Sequence, residues 1–63
     1  MDFNFTANGN DFTAIDAGWA KNGEQVWDIA DSNEEFVGQV TVHPFDHISV
    51  VTAKWSEMEA CYA

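Results

Sequence analysis

The side chains able to do chemistry in this 63-residue chain are eleven carboxylates, two histidines and one cysteine, set against two lysines and no arginine. Paired carboxylates can share acid–base work, as in glycoside hydrolysis, but that needs a cleft holding two groups at fixed separation. A chain of this size has little room for such a cleft. His43 and His47 bracket Asp46, a set with metal-ligating chemistry. Pro44 opposes the helical i, i+4 arrangement that would bring both imidazoles to one side, and Cys61 is distant in sequence. The two read as loop histidines, and neither a metal nor a cofactor is expected. As a nucleophile Cys61 would need a base or a cationic neighbour, and its nearest charges are Glu57 and Glu59. Neither a glycine-rich phosphate cradle nor a Ser-His-Asp pattern is present, so no enzyme is expected.

What remains is recognition by charge. The formal net charge of -9 repels nucleic acid and anionic membranes and attracts basic protein surfaces. The acids fall at positions 2, 11, 16, 24, 28, 31, 34, 35, 46, 57 and 59, so the charge belongs to the whole chain and not to a tail. On a strand, same-face residues repeat every ~6.6–6.8 Å, comparable with the spacing along a nucleic-acid backbone, where phosphates advance ~3.4 Å per step. Lack of arginine removes the side chain best suited to phosphate, which argues against direct nucleic-acid binding. The same charge also serves solubility, and that reading competes with partner selection.

These side chains must be positioned by a single domain spanning residues 1–63. Five Phe, three Trp and one Tyr supply a dense core, with at least two of Trp19, Trp27 and Trp55 expected inside it. An exposed third Trp, ringed by carboxylates, would mark a docking face. One cysteine cannot form an intrachain disulfide, and the Met1-Asp2-Phe3-Asn4 start lacks signal-peptide features. A cytoplasmic protein is the expectation, and no stretch approaches membrane-spanning length.

Phe3 and Phe5 alternate with polar residues, and Asn8-Gly9-Asn10 has turn chemistry, which predicts a strand over 2–7. Residues 11–21 fit a helix, with Phe12, Ile15 and Trp19 on one stripe, Ala14, Ala17 and Ala20 as helix formers, and Asn22-Gly23 as the stop. They also fit a strand joined to 24–30 through an Asn22-Gly23 type I′ hairpin, with Lys21 opposite Glu24 and Gly18 opposite Trp27. The helix is placed slightly ahead. Strands are expected over 25–30, around Phe36 to Val42, and from Ile48 to about Trp55, with His43 to His47 as a connection because Pro44 cannot donate to a ladder. Ser56-Glu57-Met58-Glu59 fits a capping box, and residues 56–63 equally fit a continued strand. The fold class is α+β: a small antiparallel sheet of about four strands with one short helix, residues 11–21, packed on one face. The alternative is an all-β five-stranded meander.

Small size, an aromatic core, extreme acidity, no arginine and no catalytic apparatus together resemble the phage-encoded inhibitors that mimic nucleic acid, including acidic anti-CRISPR proteins. The resemblance is one of composition over the whole chain, without an aligned motif. It implies an inhibitor that occupies the basic DNA- or RNA-binding surface of a nucleic-acid-binding protein or complex. The residues expected to carry binding are the turn and edge acids Asp28, Asp31, Glu34 and Glu35, with Glu57 and Glu59 as a second cluster. The alternative is a small structural or protein-interaction module, such as a virion component, that binds through an apolar edge or a Trp patch.

Overall fold

The structure is a computed structural model that describes residues 2–62. Four strands, β1 (Phe3–Ala7), β2 (Asn10–Trp19), β3 (Gln25–Asp31) and β4 (Phe36–Val42), are followed by one helix, α1 (Ile48–Tyr62). The strands form an antiparallel meander in the order β1-β2-β3-β4. The class is therefore α+β, with a four-stranded sheet and one helix. That helix is not residues 11–21, however, and the five-stranded meander does not form.

Two local causes make residues 11–19 a strand. Asn8 and Gly9 both have positive φ, 52° and 82°, the pair of left-handed residues that a type I′ turn requires. That turn sets Ala7 opposite Asn10, so the following residues pair with β1 as they emerge: Phe5 with Phe12, Phe3 with Ala14. Further on, Gly18 has φ 87°, outside helical backbone, and donates its N–H to the Asp16 carboxylate at 2.9 Å. The β2–β3 turn also departs from the two-residue hairpin. Ala20 N–H donates to Glu24 O and Gly23 N–H to Ala20 O, a three-residue loop with Gly23 left-handed. Trp27 is thereby set opposite Asp16, not Gly18.

The expected strand over Ile48 to Trp55 is the first half of α1. Its β-branched residues Ile48, Val50, Val51 and Thr52 suggested a strand, but tertiary contact overrides that weak preference. Val51 and Trp55, four apart and so on one helical face, are both buried against the sheet. The preceding connection is a tight turn: Asp46 N–H donates to His43 O, and His43 N–H donates to the Asp46 carboxylate. His47 then caps the helix, its Nδ1 accepting the Ser49 N–H at 3.1 Å and its carbonyl accepting that of Val50. Ser56 lies inside α1, its hydroxyl donating to Thr52 O, so no capping box forms there. Residues 56–62 are helical, and Ala63 lies outside the described residues.

The core lies between α1 and one sheet face: Ala7, Phe12, Ala14, Trp27, Ile29, Val40 and Val42 from the sheet and Val51 and Trp55 from the helix, with Phe3, Phe5 and Val50 packed against it. Edge-on contacts join Phe3 to Trp27 and Phe12 to Trp55, and Phe5 stacks on Phe12. Trp55 Nε1 is buried with no hydrogen-bond partner among the described residues, so packing holds this indole. Its seat is Gly38, where an added Cβ would stand 2.7 Å from a Trp55 ring carbon. Two of the three tryptophans are in the core, and Trp19 is 64% exposed. No helix among the described residues is long and apolar enough to cross a membrane.

Candidate acidic interface

An up-and-down sheet puts alternate connections at the same end. The β1–β2 turn, the β3–β4 turn and the C-terminal half of α1 therefore share one end, a placement fixed by Asn8, whose side-chain amide donates to Ser56 O and to the Glu59 carboxylate. Asp11, Asp31, Glu34, Glu35, Glu57 and Glu59 all lie at this end, which has neither lysine. Lys21 is in the β2–β3 turn at the other end. Lys54 reaches the last turn of β4, donating to Thr41 O at 2.7 Å.

By sequence, Asp28, Asp31, Glu34 and Glu35 form one expected cluster and Glu57 and Glu59 a second. The structure brings Asp31, Glu34, Glu35, Glu57 and Glu59 to one end and adds Asp11, which the sequence places in the expected helix 11–21 and not among the binding candidates. Asp28 does not join them. It was grouped with turn and edge acids, but β3 is an inner strand, and alternation with Trp27 and Ile29 turns Asp28 to the face away from α1. There it is half-buried and accepts from Gln39 Nε2 at 2.8 Å. The same face carries the pairs Thr13–Asn4 and Thr6–Asp11 and, by register, Ile15 opposite Asp28 and Val26 opposite Thr41, so it mixes polar and apolar side chains with two carboxylates.

Within the acidic end the carboxylates divide by task. Asp31 builds the turn, accepting the backbone N–H groups of Asn33 and Glu35 at 2.9 and 3.0 Å. Glu59 accepts from Asn8, and Asp11 from the Thr6 hydroxyl. Glu34, Glu35 and Glu57 are exposed, and their carboxylates have no hydrogen-bond partner among the described residues. Glu34 also has φ 64°, a left-handed backbone that costs a non-glycine residue about 1–2 kcal/mol. Glu59 sits in the last turn of α1, at the negative end of the helix dipole, where a carboxylate costs about 0.3–1 kcal/mol and no basic residue offsets it, while Glu57 lies half a turn earlier. A groove of about 470 Å³ opens between the two halves of this end, with Phe12 and Val37 in its lining and Asp11, Asp31 and Glu59 among its acids.

The carboxylates at the other end are used differently. Asp2 accepts the Asp16 N–H, Asp16 that of Gly18, Asp46 that of His43, and Glu24 the Asn22 amide. The Gly18 N–H holds the Asp16 carboxyl below its ordinary value of 3.8. His43 and His47 contribute to the β4–α1 connection as described, and among the described residues no three His, Cys, Asp or Glu side chains are placed to hold a metal ion. Cys61 is an exposed free thiol. Compared with protein-family models, curated proteins and solved structures, the chain gives no match.

Proposed function

We propose that this chain is an acidic binding protein, not an enzyme, whose turn-and-helix end occupies the basic surface of a nucleic-acid-binding protein or complex and competes there with DNA or RNA. The observation that carries the reading is the separation of charge: six carboxylates and no lysine at one end, on a rigid sheet. Two of the six are placed against local stability, Glu34 by its backbone and Glu59 by the helix dipole. Solubility alone gives no reason to accept those costs, since acids elsewhere on the surface would serve equally. The groove beside Glu59 suits a partner's Lys or Arg, its stem along Val37 and Phe12 and its head at the carboxylates. In keeping with the resemblance to acidic anti-CRISPR proteins, the partner class is a bacterial defence complex or a similar assembly, and the compartment is the host cytoplasm.

Affinity capture from a bacterial lysate at low and high salt tests this. A basic nucleic-acid-binding complex recovered only at low salt, and displaced by added DNA, is the expected result. Capture that persists in high salt and fails on Trp19→Ala or Phe45→Ala would instead support the interaction-module reading. That reading has its own observation, the exposure of Trp19, Phe45 (99%) and Ile48 at the end opposite the six-carboxylate cluster.

A further inference from the structure

β4 is an outer strand of the sheet, and its seven residues, Phe36 to Val42, include no charge and no proline. Natural sheets guard such edges with charged or proline residues, or cover them, because unpaired backbone groups are a template for another strand. Lys54 donates to the outward carbonyl of Thr41 at 2.7 Å, which leaves that oxygen a second lone pair and the rest of the edge unguarded. Since Thr41 turns its backbone groups away from β3, alternation turns those of Gln39 outward as well. The helix does not cover the far corner of this edge. It starts beside the end of β4 and finishes beside Asn8 after β1, crossing the sheet diagonally. Phe36 and Val37 at that corner are 62% and 43% exposed. The other outer strand, β1, is shorter, with five residues, and the helix closes over its end through Asn8.

We propose that β4 pairs antiparallel with β4 of a second copy of this chain, about a two-fold axis near Gln39, giving one continuous eight-stranded sheet. A second copy suits this edge better than an unrelated strand because the charges bordering β4 complement themselves. Lys54 stands at one end, beside Thr41, and Glu34 and Glu35 precede Phe36 at the other. An antiparallel copy brings Lys54 alongside Glu35 of the second molecule, twice by symmetry. A parallel copy would set lysine beside lysine and glutamate beside glutamate. Antiparallel pairing also keeps the two acidic ends at opposite extremes of the dimer.

The test is sedimentation of the full chain from about 10 μM to about 1 mM, at low and high salt, with reductant present to keep Cys61 from cross-linking copies. A monomer–dimer equilibrium is expected, strengthened by salt because screening relieves repulsion between copies of charge -9. Binding to a basic partner has the opposite salt dependence, so failure here and failure of the proposed function are separable. Gln39→Lys should abolish the dimer while far-UV circular dichroism stays unchanged, because a lysine there faces Asp28 within the monomer but its own copy across the seam. Lys54→Glu should weaken dimerisation about tenfold, and Lys54→Glu combined with Glu35→Lys should restore it. A chain that stays monomeric throughout, a dimer indifferent to Gln39→Lys, or a charge swap that fails to restore pairing would overturn the proposal.

Discussion

The two ends of this molecule are closed by similar tight connections, yet their carboxylates do different work. At the end that holds the β2–β3 turn and the β4–α1 connection, Asp2, Asp16, Glu24 and Asp46 each accept a hydrogen bond from the chain around them. At the end that holds the β1–β2 and β3–β4 turns, Glu34, Glu35 and Glu57 face solvent with no partner among the described residues. The first set builds the fold, and the second is free to meet something else. Net charge alone does not show this difference, because both ends are acidic. The longest extent of the Cα trace is 30 Å, several times the Debye length of about 8 Å at physiological salt, so the ends act on a partner independently.

The largest effect expected is loss of both ends together when the core that spaces them is broken. Gly38→Ala drives a Cβ against the Trp55 ring and should cost about 1–3 kcal/mol, read as a lower urea midpoint. Unchanged stability would mean that Trp55 is not seated on β4. Glu34→Gly should do the reverse, relieving the left-handed backbone and stabilising the chain by about 1 kcal/mol while weakening partner capture. Glu57→Lys should weaken capture while moving thermal stability by less than about 0.5 kcal/mol, whereas Glu59→Lys also removes the acceptor of the Asn8 amide, a loss that offsets the gain of about 0.3–1 kcal/mol from the dipole. If either substitution left capture intact, that carboxylate would have no part in binding.

The smallest effect concerns the opposite end. Because the folded Asp16 carboxyl titrates below 3.8, its contribution to stability is fully present above that pH and is lost as pH falls through the folded value. Asp16→Asn should therefore flatten the acid limb of urea midpoint against pH below about pH 4 and leave neutral-pH binding unchanged.

How legible this was in the sequence varied from element to element. The alternation of Phe3 and Phe5, the Asn8-Gly9 turn and the Pro44 connection were readable because each signal is local. Residues 11–21 were not, since their alanines favour a helix and only pairing with β1 and β3 settles the matter. Ala14, flanked by Phe3 and Ile29 and fully buried, is small for a packing reason that propensity does not express. Residues 48–55 misled in the opposite direction: β-branched side chains masked the four-residue spacing of Val51 and Trp55, and a histidine serving as N-cap has no strong sequence signature. Among the binding candidates, Asp31, Glu34 and Glu35 were legible as turn acids. Their meeting with Glu57, Glu59 and Asp11 depended on where α1 ends, which composition does not carry.

The central claim is that charge position, not charge quantity, directs this protein to its partner. It is tested most directly by comparing two variants of equal net charge in the low-salt capture experiment, with folding checked by circular dichroism. Glu34→Lys with Glu57→Lys changes the free acidic end, and Asp2→Lys with Glu24→Lys makes the same change in net charge at the other. The account predicts that the first pair loses the partner and the second retains it. Equal loss from both would contradict the account and return the carboxylates to a general surface role.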